Sequence, residues 1–182
     1  AWMSMLIYVV MAVFSAAALV TNNKMCSIFS AAMAPTGALM AFLALFSGSF
    51  WGRPTWGTHW VWDARLTSEL ILLFLYLGFL ALQSAIADHR RADKACAVIA
   101  IVGVVNVPII YFSVKWWNTL HQGASITSKG SSIAPIMLYT LLLMVVAFWI
   151  YSFASTFVRA RSMILERERR QTWVQALVKE GK

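Results

Sequence analysis

The sequence predicts an all-α protein, a polytopic bundle of transmembrane helices with five spans in this chain, and three observations predict it. Of 182 residues, 60% are hydrophobic and only 12% are charged. Mean hydropathy is +0.71. The apolar residues also gather into runs of about 20, the length that crosses a hydrocarbon core of about 30 Å. An ordinary soluble domain does not collect its apolar excess in this way, and a disordered segment lacks the excess altogether. A chain of 20.3 kDa leaves room for spans and short loops but not for a separate aqueous domain, so 1–182 reads as a single integral-membrane domain.

The expected spans are 1–20, 26–50, 66–87, 95–114 and 136–158, each an apolar run bounded by charged or turn-forming residues. The basic residues between them set the orientation, because Lys and Arg are retained on the cytoplasmic side. One side carries Lys24, Arg90, Arg91, Lys94, Arg159, Arg161, Arg167, Arg169, Arg170, Lys179 and Lys182, whereas the other carries Arg53, Arg65, Lys115 and Lys129. The C-terminus is therefore expected in the cytoplasm. Topology accounts for the net charge of +8 and the pI near 9.9, with no need of a nucleic-acid partner. The basic tail 159–182 also holds Trp173, Val174, Leu177 and Val178. It is either an amphipathic helix on an anionic leaflet, with membrane lipid as its partner, or a solvated tail. Five spans with an inner C-terminus put Ala1 outside, and Ala1 heads an apolar run without a Met. The expectation is that a further span and outer loop precede it.

Within the spans, Pro35 and Pro108 each release a backbone carbonyl and should bend their helices. Asn106, beside Pro108, is expected to hydrogen-bond to a neighbouring helix. Cys26 and Cys96 stand far apart at the cytoplasmic ends of spans, which supports no disulfide, thiol relay or covalent haem attachment.

The chemistry lies in the two outer loops. Trp51, Trp56, Trp60 and Trp62 crowd into the first, the tryptophan-rich loop 51–67, and Trp116 and Trp117 open the second. An aromatic belt at the membrane boundary explains one or two tryptophans per loop. Four within twelve positions on one face suggest an apolar platform for a broad planar ligand, with indole N–H groups as donors at its edge. Asp63 or Thr67 is suited to cap the third span, and Arg65 is suited to meet a ligand carboxylate. His89 belongs to a charged turn. His59 lies in the tryptophan run, and His121 follows Trp117 in Trp116-Trp117-Asn118-Thr119-Leu120-His121-Gln122-Gly123. Neutral imidazole is a common axial ligand to haem iron, and a porphyrin needs apolar cover. Zinc spacing, an acidic oxygen cage and a phosphate-binding glycine loop are all missing from the sequence.

Read together, Trp51-Gly52-Arg53-Pro54-Thr55-Trp56-Gly57-Thr58-His59-Trp60-Val61-Trp62-Asp63-Ala64-Arg65-Leu66-Thr67 resembles the WWD signature of the haem-handling superfamily. With the second loop and the overall hydropathy, the whole chain resembles the haem exporter protein C (CcmC) family of the cytochrome c maturation system. The resemblance implies a multi-pass protein of the bacterial inner membrane that binds haem b non-covalently on its periplasmic side. It implies delivery of that haem to a periplasmic haem chaperone, beside ABC transporter subunits and a small single-span subunit. It further implies His121 as an axial ligand and metal-binding residue. Trp51, Trp56, Trp60, Trp62, Asp63, Arg65, Trp116 and Trp117 would form the surrounding cofactor-binding surface. The family usually has six spans, with its other axial histidine in a loop ahead of the position of Ala1, and it often has another aromatic where His59 stands.

Three functions compete. A haem-handling assembly factor, not itself an enzyme, is favoured by the WWD run with His121. A covalent haem-attachment synthetase of the same superfamily is usually larger and richer in histidine. A permease would be expected to show ionisable residues inside its spans, and here Glu69 and Asn106 are the slim candidates.

Overall fold

A computed structural model describes residues 1–117, 126–127, 130–131 and 133–175. Six α-helices carry the described chain: α1 (Trp2–Thr21), α2 (Lys24–Trp56), α3 (Ala64–Ala85), α4 (His89–Gly103), α5 (Asn106–Trp116) and α6 (Pro135–Arg167). A two-residue antiparallel ladder, Ile126–Thr127 with Gly130–Ser131, lies between α5 and α6. Among the described residues, five stretches are long and apolar enough to cross a membrane, with α4 and α5 together forming the fourth. The predicted polytopic helical bundle is the observed fold.

The α4–α5 break has a local cause. The ring of Pro108 cannot coexist with a helical carbonyl four residues back, and that carbonyl belongs to Val104. It turns instead to the Val107 amide, 3.0 Å away, and regular helix resumes at Asn106. The bend expected at Pro108 therefore opens one turn ahead of it. By contrast, α2 runs unbroken through Pro35 and Pro54 for 33 residues, about 50 Å at 1.5 Å per residue. It thus extends the span expected at 26–50 beyond any hydrocarbon core and takes in Trp51 to Trp56, where a loop was expected. Gly57 ends it, with φ 75 and its amide bonded to the Arg53 carbonyl at 3.0 Å. This left-handed terminating position favours glycine because it has no Cβ.

Helices α1 to α4 form the core, with α5 continuing the packing along α3. Ala31, Ala34, Gly37, Ala38 and Ala41 are buried along α2. Small residues let backbones approach closely where lipid supplies no hydrophobic drive between helices. Tyr76 fills the space over Gly37, and a Cβ there would collide with its ring. Tyr8 and Tyr76, both fully buried, meet edge to face with centroids 4.9 Å apart. The Tyr76 hydroxyl donates to the Ser4 carbonyl at 2.7 Å and the Tyr8 hydroxyl to the Ile99 carbonyl at 3.3 Å, so the polar end of each buried ring is turned toward backbone, as an apolar interior requires. Asn106 donates to the Ser68 carbonyl at 2.8 Å, the interhelical bond expected of it.

Helix α6 is different. It packs chiefly on α2, and only 6% of its apolar window is buried, against 61% for α2. Polar ties hold its lower half: Arg159 donates to the Thr36 hydroxyl at 2.8 Å, that hydroxyl also meets the Ser155 hydroxyl at 3.1 Å, and Arg167 pairs with Asp93. Beyond Arg167 the chain turns, and 172–175 are helical. Trp173 donates to Glu168 at 2.9 Å and Val174 is buried, so this part of the basic tail folds back rather than standing free.

Candidate functional site

Alternation of the spans brings the start of α3 and the ends of α2 and α5 to one end of the bundle, opposite the basic end where α4 begins. The tryptophans of the two expected outer loops all lie at this end. Trp51 and Trp56 stand on the last turns of α2. Trp60 and Trp62 lie in the connection to α3, and Trp116 and Trp117 close α5. Trp62 is 76% exposed, Trp116 61%, and Trp51 and Trp117 51% each.

The structure brings these rings together in pairs. Trp51 meets Trp56 with centroids 5.5 Å apart, Trp60 meets Trp62 at 5.6 Å, and Trp116 meets Trp117 at 5.9 Å. Each pair is edge to face, at 84°, 77° and 70°, the arrangement that the indole quadrupole favours. A flat face at this end is therefore offered by single rings rather than by coplanar pairs. Among the described residues, neither Trp60 nor Trp62 makes ring contact with Trp116 or Trp117.

Register separates the two groups in height. Asn106 is bonded across to Ser68, and from that level α5 climbs ten residues to Trp116, about 15 Å, while α3 reaches Ala64 in about 6 Å. The end of α5 thus overhangs the start of α3. Along it runs an aromatic ladder that the sequence did not single out. Trp116 stacks on Phe112 at 5.1 Å and 16°, Phe112 meets Tyr111 at 4.9 Å, and Tyr111 meets Trp2 of α1 at 5.6 Å. Lys115 lies 5.8 Å above the Phe112 ring. Tyr111 and Phe112 were counted within a span, and only the pairing with α1 makes them part of the exposed aromatic end.

Asp63 caps α3 as expected, its carboxylate accepting the Leu66 amide at 2.7 Å. Arg65 occupies the first turn of α3, half-buried. Glu69 lies a turn deeper, buried against α1, where one carboxylate oxygen accepts the Ser4 hydroxyl at 2.7 Å. Its other oxygen and the Trp60 indole N–H are buried without a hydrogen-bond partner among the described residues. Buried polar atoms left unsatisfied are uncommon, since each carries a desolvation cost of about 1–3 kcal/mol. His59 is exposed, with its ring 6.1 Å from Phe50. This Phe50 ends a row with Phe42 and Phe46 along α2, so His59 extends an aromatic row. His121 lies outside the described residues. No group of three His, Cys, Asp or Glu suited to a metal occurs among the described residues.

Comparison with known proteins follows the same lines. Residues 1–175 match the family model described as "Heme exporter protein C". The chain is 50% identical over 175 residues to "Heme exporter protein C" of Escherichia coli (strain K12), covering 96% of this chain and 71% of that protein. It is 51% identical over 175 residues to the protein of the same name from Haemophilus influenzae, with the same coverage. It is also 45% identical over 165 residues to a "Putative cytochrome c biosynthesis ccmC-like mitochondrial protein" of Marchantia polymorpha, covering 91% and 70%.

Proposed function

The chain belongs to the haem exporter protein C family, and from that premise we propose that it handles haem in the maturation of c-type cytochromes. It binds haem b non-covalently at its tryptophan-bearing end, on the periplasmic side of an inner membrane, and delivers it to a periplasmic haem chaperone. The carrying observation is that four indoles, each at least half exposed, stand at one end of the bundle. Apolar surface left in water costs about 25 cal/mol per Å², and a concentration of it rimmed by polar groups marks a binding surface.

The residues at this end fit a haem. Trp51, Trp62, Trp116 and Trp117 supply apolar faces. Arg65, and Arg53 on the last turn of α2, supply cations for the propionates, and the unsatisfied Trp60 N–H supplies a further donor. His121 is the axial ligand in this reading, with Asp63 fixing the start of α3 and hence the place of Arg65. The protein acts as an assembly factor and does not itself catalyse covalent attachment. ABC transporter subunits and a small single-span subunit work beside it, and the sparsely covered flank of α6 is a surface available to them or to lipid. The C-terminus lies in the cytoplasm.

The test is haem content and the Soret band of the purified protein. His121→Ala is expected to shift the band and lower haem retention, and an unchanged spectrum would remove His121 from the site. A combined Trp51→Ala and Trp62→Ala variant that kept full haem occupancy and full transfer to the chaperone would overturn the aromatic surface as the binding site.

A further inference from the structure

At the basic end, opposite the tryptophans, the α1–α2 turn and the start of α4 enclose a cleft of about 370 Å³. Lys24, Arg90, Arg91 and Lys94 line it, together with the apolar Ala18 and Leu19. One carboxylate, that of Asp93, also reaches the lining, but it is committed to Arg167 through two bonds of 2.8 Å. Arg91 is shared with Asp88 at 3.5 Å, in an exposed pair. Lys24, Arg90 and Lys94 make no ion pair among the described residues. Both α2 and α4 begin at this cleft, capped by Asn23 and Asp88, so two helix N-termini add positive potential to that of the side chains.

We propose that this cleft seats the phosphodiester headgroup of an anionic phospholipid. Several unpaired cations around a concave site of this size suit a phosphate-bearing anion, and depth selects the lipid. The cleft lies where α1 ends at Thr21 and α2 starts at Lys24, the level at which spans leave the hydrocarbon and headgroups sit. Leu19 and Ala18 give the glycerol region an apolar wall that a free phosphate would not use. The bound headgroup clamps the α1–α2 turn to α4 by charge. The proposal concerns the face remote from the haem reading and stands apart from it.

The experiment uses the full chain in detergent and in nanodiscs. Short-chain phosphatidylglycerol should raise the melting temperature and survive as a bound adduct in native mass spectrometry, whereas phosphatidylcholine of the same chain length and inorganic phosphate should not. Each of Lys24→Gln, Arg90→Gln and Lys94→Gln should weaken retention about five-fold, while Arg169→Gln and Arg170→Gln in the tail should leave it unchanged. Equal retention of both lipids would overturn the proposal, as would equal stabilisation by inorganic phosphate or a loss confined to the tail variants. The unmodified protein gives an independent measure: phosphatidylglycerol retention should fall from low to high salt, and retention indifferent to salt would also overturn it.

Discussion

Arg167, in the last turn of α6, donates one hydrogen bond of 2.8 Å to each carboxylate oxygen of Asp93 on α4. The two side chains are only 14% and 15% exposed, so this fork-to-fork pair is screened far less than a surface ion pair. It joins the helix with the least buried surface to the core of the bundle.

Breaking that pair should loosen α6. Arg167→Ala or Asp93→Ala is expected to cost about 2 kcal/mol, read as a fall in melting temperature of roughly 4–8 °C in detergent. The double reversal, Asp93→Arg with Arg167→Asp, should recover most of the loss. Equal melting of all variants would show that the tie contributes nothing.

Gly37 and Gly48 on the same helix should respond with opposite sign. A Cβ at Gly37 would meet the buried Tyr76 ring, whereas nothing lies within 4 Å of one at Gly48. Gly37→Ala is expected to destabilise by about 1–3 kcal/mol, and Gly48→Ala to stabilise by roughly 0.5–1 kcal/mol through helix propensity. Thermal melts of the two variants side by side decide it, and a tolerated Gly37→Ala would contradict the close packing of α2 on α3.

Capping and charge at Asp63 can be separated. Asp63→Ala removes the acceptor for the Leu66 amide and should cost about 1 kcal/mol, while Asp63→Asn keeps an acceptor and should melt close to the parent protein. If haem retention falls in Asp63→Asn without a change in melting, the carboxylate acts on the cargo site as well as on the helix.

Trp60→Phe removes an indole N–H that is buried without a partner among the described residues. Deleting an unsatisfied donor relieves its desolvation cost, so the haem-free protein should melt at the same temperature or higher. Under the proposed function haem retention should nevertheless fall. A drop in stability of the haem-free variant would mean that the N–H already has a partner within the protein.

Asn106 offers a smaller effect. Replacing it by Leu loses the bond to the Ser68 carbonyl, for which about 0.6 kcal/mol is the typical interhelical value in membranes. A loss above about 2 kcal/mol would indicate that this bond sets the register of α5 on α3 rather than merely adding to it.

The class, the five spans and the end of the bundle that carries the tryptophans were legible in the residues alone. These follow from bilayer thickness and from the placement of charge, which a chain cannot satisfy in many ways. The sequence also narrowed the cap of α3 to Asp63 or Thr67 and carried the interhelical role of Asn106, because short polar side chains at a helix start or inside a span have few alternatives. It misplaced the end of α2. Gly52 and Pro54 read locally as helix breakers, yet the helix carries them to Gly57. Helix packing, in contrast, made the indoles meet as edge-on pairs, joined Trp2 and Tyr111 to the aromatic end and turned Glu69 to Ser4. It also brought Lys24 and Lys94 to one cleft. Those contacts join residues far apart in the chain, and their geometry depends on which helix faces pack and at what height. Hydropathy, which averages over whole segments, carries no record of either.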